Sequence, residues 1–439
     1  MVPLVLAAAH MAVFDRGLGG DGWATFAFLE SSLEDGDLFL ENNNHGVMNG
    51  LLGGPGGHLV MQYPPGGPFL DLLPFLAGRA LDRVLPARWL AAGVSVPPVG
   101  LLPRRTFLEI AGIVAARNLA VMAGLLAIAA ALRRAGFGDG TTAAATALAL
   151  FGGPLVFYSL VGASHAPTFA LSALLLLVLV RDGGTAGARN AFLAGVIVGA
   201  AVLVRYSAAA LLPAVLAGTW GRPPWRRWGA ALAGFVVPLA LLPFYFHLHY
   251  GQWLPLGYGG SFRIGPASPW NVLFSGHHGL FVFHPALALA AAGLVIGWFA
   301  GIPPGGRPLL RLAMVWFASV AVVHGWWSEW ANVGGYGQRF LIDALPPLAL
   351  GFACLLSVPR RRGVALAGVA AATLAGYMLF AAAVGGLARS REGAPWPQTL
   401  ADYRPLLERP PSPRECAHAL LRGSFLLRAA TGVEPAPER

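Results

Sequence analysis

Gly66-Gly67-Pro68-Phe69-Leu70-Asp71-Leu72-Leu73-Pro74-Phe75-Leu76-Ala77-Gly78-Arg79-Ala80-Leu81-Asp82-Arg83 is the stretch on which the topology of this chain turns. It is apolar enough to suggest a membrane span, yet it carries Asp71, Arg79 and Asp82. Counted as a span, it would put Arg133 and Arg134 on the outer side and invert every segment after them. Read as an interfacial helix along the outer leaflet, it leaves the rest of the chain obeying one rule, the enrichment of basic residues in cytoplasmic connections.

That rule can be followed along the chain. Apolar runs recur at about 107–132, 141–160, 166–180, 190–204, 206–220, 228–249, 279–300, 309–325, 340–357 and 363–385. Most approach the roughly 20 residues that a bilayer demands of a helix. Arg133/Arg134, Arg181/Arg189, Arg222/Arg226/Arg227, Arg307/Arg311 and Arg360/Arg361/Arg362 fall on alternate connections, with no helix skipped. The opposite connections are 15–106, 161–165, 250–278 and 326–339, together with the tail after 386. Met1 to Phe14 is apolar but short and lacks a basic start, so it is read as a first span clipped by a misplaced start codon, not as a secretory signal. The expectation is an all-α polytopic membrane protein of about eleven transmembrane helices, with a membrane domain over 1–385 and an outer tail over 386–439.

Composition agrees. Hydrophobic residues make up 56% of the chain and charged residues 11%, where a soluble domain carries roughly 25% charged residues. The net charge of +10 does not point to nucleic acid, because the arginines are scattered between apolar runs and form no patch. Cys354 and Cys416 make no disulfide framework. No Gly-x-x-x-x-Gly-Lys-Ser/Thr loop occurs, no cytoplasmic connection could house a nucleotide-sugar domain, and no repeat of hydropathy suggests a repeat-built transporter.

The long first outer loop holds most of the acid: Asp15, Asp21, Glu30, Glu34, Asp35, Asp37 and Glu41. Trp23, Phe26, Phe28, Leu29 and Leu33 have helical spacing, which predicts an amphipathic helix over 21–34 at the membrane surface. Asp21 stands at its start, where a carboxylate can cap free N–H groups or act as a base.

The run Asp21-Gly22-Trp23-Ala24-Thr25-Phe26-Ala27-Phe28-Leu29-Glu30-Ser31-Ser32-Leu33-Glu34-Asp35-Gly36-Asp37 resembles the first periplasmic loop of GT-C glycosyltransferases, in particular the group that includes protein O-mannosyltransferases and the lipid A aminoarabinose transferase. Gln62-Tyr63-Pro64-Pro65-Gly66, followed by an apolar helix over 66–83, resembles their second juxtamembrane element. Leu203-Val204-Arg205-Tyr206, within Gly195 to Pro213, is similar to the place where that family sets a basic residue at the outer end of a helix. Trp326-Trp327-Ser328-Glu329-Trp330 and Gly334-Gly335-Tyr336-Gly337-Gln338-Arg339-Phe340 resemble a bacterial subgroup. The resemblance covers nearly the whole chain and rests on the order of the motifs and their shared side of the membrane. It implies a sugar carried on a polyprenyl phosphate, transferred at the extracytoplasmic face of a bacterial inner membrane. One departure stands out: the family often has a second acid after the loop Asp, and Gly22 occupies that place, which leaves Asp21 as a single base.

The chemistry needs a base for the acceptor, cations for the departing phosphate and an apolar groove for the lipid. Asp21 is the expected base, and Arg205 and Arg339 are the expected phosphate partners, with inversion at the sugar carbon. Tyr63, His165, Tyr258, Trp327 and Glu329 are expected substrate contacts; Arg263, His277 and His278 rank lower. No cofactor is expected, and a divalent metal is left open. Plain structural readings stand beside each assignment: Arg205 can snorkel to the surface, Arg339 and the tryptophans can mark the bilayer interface, and His165 can cap a helix. Two other functions also fit the sequence, a flippase for the lipid-linked sugar and an inactive assembly protein that binds it.

Overall fold

The computed structural model describes residues 18, 20–43, 51–86, 93–96, 100–155, 158, 165–180, 187–218, 224–253, 268–302, 306–327, 330, 337–358, 363–376 and 401–402. The expected first span and most of the tail lie outside the described residues.

The first loop begins with α1 (Gly20–Glu30), which runs on into a π-helical turn, Ser31–Asp35. Gly36 ends it at φ +73°, a conformation that favours a residue without Cβ, and its N–H donates to the Ser31 carbonyl at 3.0 Å. Next come the antiparallel pair β1 (Leu51–Gly53) and β2 (Leu59–Met61), helix α2 (Gly66–Val84), and a second hairpin, β3 (Gly93–Val96) with β4 (Gly100–Pro103).

The reading of α1 as a surface helix is corrected. Residues 22–29 are all buried. Trp23, Phe26 and Leu29 join a core with Phe75, Phe107, Leu108 and Ile110, while Ala24, Ala27 and Phe28 join the main core on the other side. The helical spacing was real, but both faces are covered.

Helix α2 matches the expected segment to within one residue. Phe69, Leu70, Leu73, Leu76, Leu81 and Val84 leave one apolar face exposed, as an interfacial helix requires. The other face lies on α3 (Arg104–Arg134). A Cβ on Gly78 would stand 2.2 Å from the Leu108 carbonyl, and one on Gly112 would stand 2.3 Å from the Pro74 carbonyl, so only glycine permits this approach. Asp71 of α2 pairs with Arg117 of α3 through both nitrogens, with Nε to Oδ1 at 3.4 Å, and both residues are buried. Nearby, Glu34, Arg79, Arg105 and Glu109 form a closed set of ion pairs: Arg79 reaches Glu34 at 2.7 Å and Glu109 at 2.6 Å, and Arg105 reaches Glu109 at 3.0 Å and also Glu34.

After α3 follow α4 (Asp139–Phe151), α5 (His165–Val180), α6 (Ala188–Val204), α7 (Leu212–Gly218), α8 (Pro224–Leu239) and α9 (Leu241–Tyr250). Then come the short α10 (Pro269–Phe274) and α11 (Leu280–Phe283), and after them α12 (Pro285–Ala300), α13 (Gly306–Gly325), α14 (Leu345–Leu356) and α15 (Gly363–Gly376). Among the described residues, four helical stretches are long and apolar enough to cross a membrane: Arg105–Arg134, Pro224–Tyr250, Gly306–Gly325 and Arg339–Leu356. Shorter apolar helices occupy the other expected runs, and the run expected at 279–300 is interrupted at His284. Helices suit lipid because every backbone polar group then pairs within its own segment. Small residues bring the helices together: a Cβ on Gly195 would meet the Ala231 carbonyl at 1.9 Å, and one on Gly351 would meet the Ala290 carbonyl at 2.0 Å.

Two breaks position the site. Between α6 and α7 a single extended residue, Arg205 (φ −151°, ψ 121°), is followed by the 3-10 turn Tyr206–Leu211. Before α14 comes the 3-10 turn Arg339–Ala344. Pro213 opens α7, and Pro346 and Pro347 open α14. Proline has no N–H to give the carbonyl four residues back, so the preceding turn tightens: Leu212 N–H bonds to Ala209, and Leu345 N–H bonds to Ile342. The 17 residues of α6 span about 25 Å, short of the roughly 30 Å of a hydrocarbon core. Arg205 therefore sits at a sunken apex, inside protein.

Candidate functional site

The helix ends that the arginine pattern assigns to one side meet around the ring of Phe340. The Arg339 guanidinium carbon stands 5.0 Å from its centroid and that of Arg205 5.6 Å, both within cation–π range. His324 lies nearly parallel to the ring at 5.8 Å, Trp327 meets it edge-on at 4.4 Å, and His165 is 6.2 Å away. The first residue of α5, the apex between α6 and α7, the end of α13 and the start of the turn before α14 thus share one centre.

Arg205 donates from a terminal nitrogen to His165 Nδ1 at 2.6 Å. A guanidinium can only donate, so Nδ1 is the acceptor and the His165 proton sits on Nε2. His165 is itself packed against Tyr158, with ring centroids 5.3 Å apart. Among the described residues, neither Arg205 nor Arg339 forms an ion pair with a carboxylate, and Arg339 Nε is buried without a hydrogen-bond partner. An Arg at membrane depth normally has a partner or a task.

Two more acceptors lie close by. His324 is fully buried; its Nδ1–H donates to the Val320 carbonyl at 2.8 Å, which leaves a bare lone pair on Nε2 with no partner. Asp343 is buried, and among the described residues its carboxylate forms no ion pair. The Thr168 hydroxyl lies between two acceptors, the His165 carbonyl at 3.0 Å and the Asp343 carboxylate. The Asp343 backbone carbonyl, which Pro347 cannot reach with an N–H, takes the Trp316 indole N–H at 2.9 Å. Arg205 is the electrostatic neighbour shared by His165, His324 and Asp343.

Of the residues expected from sequence, Arg205, Arg339, His165 and Trp327 converge here. Tyr63 is held against α9, where its carbonyl accepts from Tyr245 at 3.1 Å; two residues earlier the Met61 carbonyl accepts from Tyr250 at 2.6 Å. Tyr258 and Glu329 lie outside the described residues, as does Arg263, while the His277 and His278 rings are tilted at 33° with centroids 5.6 Å apart. Asp21 is the second residue of α1, and nothing is described of its side chain. Its helix leads toward the apex: Thr25, one turn on, is 3.5 Å from a Cβ placed on Gly67, and a Cβ on Gly66 would stand 2.8 Å from the Val204 nitrogen, next to Arg205. Sequence reasoning missed Phe340, His324 and Asp343. Asp343 left a signal, since it is the one charge in the run Phe340–Leu356.

The geometry defines a polytopic helical membrane protein with a buried polar cluster where several helix ends meet. No family model matches the chain, and no curated protein matches it by sequence. Its fold is similar to that of ArnT from Cupriavidus metallidurans bound to undecaprenyl phosphate: TM-score 0.55 and 16% identity over 97% of this chain and 75% of that one. The apo state of the same protein aligns at 16% identity and TM-score 0.49, over 97% of this chain and 74% of that one. The polytopic helical architecture expected from the sequence is thereby met at the level of the fold, which is ArnT-like.

Proposed function

We propose that this chain is an integral membrane glycosyltransferase that moves a sugar from a polyprenyl-phosphate donor to an acceptor hydroxyl or amine at the extracytoplasmic face of a bacterial plasma membrane. The supporting observation is the meeting of Arg205 and Arg339 on one ring with no carboxylate paired to either among the described residues. Two guanidiniums without an ion-paired carboxylate among the described residues suit the phosphate of a lipid, and ArnT, whose fold this chain shares, holds undecaprenyl phosphate.

In the proposed reaction the acceptor oxygen or nitrogen attacks the anomeric carbon from the face opposite the phosphate. The bond from that carbon to the phosphate oxygen breaks, and its electron pair leaves on the phosphate, whose charge Arg205 and Arg339 meet. Asp21 takes the acceptor proton, and the sugar carbon inverts.

The test is Asp21→Asn in purified protein. Transfer should fall by about 10²–10⁴-fold, the usual contribution of a general base, while binding of undecaprenyl phosphate stays within a factor of a few. Full transfer by Asp21→Asn removes this mechanism. Movement of labelled lipid between leaflets without any transfer makes the chain a flippase.

A further inference from the structure

Arg205 and Arg339 bring N–H donors to the cluster, which call for anionic oxygen. His324 Nε2 and the two oxygens of Asp343 are acceptors, and they call for O–H or N–H groups. Arg205, Arg339 and His324 are packed around Phe340, Asp343 lies in the same 3-10 turn as Phe340, and the acceptors are at least 99% buried, where an unmet polar atom is expensive. No single simple ligand satisfies both sets. An inorganic phosphate or a bare lipid phosphate answers the arginines and leaves His324 and Asp343 unmet. A neutral sugar answers the acceptors and leaves the arginines unmet. A polyhydroxylated phosphate ester answers both.

We infer that His324 and Asp343 form a hydrogen-accepting wall opposite Arg205 and Arg339, and that they bind the hydroxyl groups of the sugar on the lipid phosphate. This rests on the proposed phosphate role of the two arginines and goes beyond it by assigning the residues that tell a glycosylated lipid from a bare one. His324 is tuned for the task by its helix: donation to Val320 turns Nε2 into a pure acceptor. Asp343 stands in the 3-10 turn ahead of Pro346 and Pro347, three residues after Phe340, and among the described residues it forms no ion pair.

The experiment measures binding of three lipids to the full chain in detergent: undecaprenol, undecaprenyl phosphate, and a panel of undecaprenyl-phosphate hexosides and pentosides. At least one glycolipid should bind more tightly than undecaprenyl phosphate. His324→Asn keeps a donor near Val320 and removes the distal acceptor, and it should cut that preference about three- to tenfold; His324→Gln, which restores an acceptor near the Nε2 position, should recover most of it. Asp343→Asn should cut it about tenfold or more. Affinity for bare undecaprenyl phosphate should stay within about twofold in all three variants.

If the variants weaken both lipids equally, the two residues are structural and the inference is overturned. It is overturned too if no glycolipid is preferred, or if the preference survives in both His324→Asn and Asp343→Asn. If undecaprenyl phosphate binds no better than undecaprenol, the phosphate role of the arginines fails first, and that result is distinct from a phosphate site that ignores the sugar.

Discussion

Two regions of this molecule bury charge, and they do so in opposite ways. Between α1, α2 and α3, the ionic groups that pack together have their counter-charges: Asp71 with Arg117, and Glu34, Arg79, Arg105 and Glu109 in a closed set. Around Phe340 lie two guanidiniums and two imidazoles, with one carboxylate in the same turn, and among the described residues they form no ion pair. The first arrangement is closed and holds the first loop onto the bundle. The second is open, with donors and acceptors both in surplus, as befits a place that a ligand completes.

The comparison can be broken most forcefully at Arg117. Replacing it with Met strands the Asp71 carboxylate in the interior, which should cost about 3–5 kcal/mol and show as a large drop in thermal unfolding temperature in detergent. Pairing it with Asp71→Leu should return most of that loss, because removing both charges of a buried pair is often close to neutral. Arg205→Gln should behave the other way: thermal stability unchanged or slightly raised, and sugar transfer lower by about 10²–10³-fold. If Arg205→Gln unfolds the protein as Arg117→Met does, the cluster is merely another structural network.

Smaller effects sharpen the contrast. Glu34 is 42% exposed on the side chain, so Glu34→Gln should cost under about 1 kcal/mol despite its two arginine partners. The smallest effect concerns acid. The Ser31 hydroxyl at 2.6 Å from Oδ1, and then the Phe39 N–H, hold the Asp37 carboxyl below the ordinary value of 3.8. A depressed carboxylate contributes stability that is present above its ordinary value and lost as pH falls through the folded one. Ser31→Ala should therefore shrink that contribution and raise the pH at which the turn over 31–43 becomes open to limited proteolysis.

Much of this was legible before any coordinates. The apolar runs and alternate arginines marked the helices, and Arg205 and Arg339 stood out because charge inside apolar sequence demands a reason. Asp343 obeyed the same rule, four residues after Arg339, and could have been found by it. Arg117 and Asp71 could also have been flagged as interior charges, although their pairing across 46 residues could not. The amphipathic reading of α1 failed for a physical reason: spacing shows which residues share a face, not how many faces will be covered.

By itself, the sequence determined that this chain is a bundle of apolar helices with its few charges at chosen ends, because lipid and backbone chemistry leave little choice of secondary structure. Only the tertiary structure decided which charges are answered and which are left open. Glycine contacts and proline-tightened turns, set by packing between distant segments, bring Arg205, Arg339 and His324 to one ring, with Asp343 in the same turn, while sealing Asp71 onto Arg117. Pairing is a property of distance in space, and local pattern does not carry it.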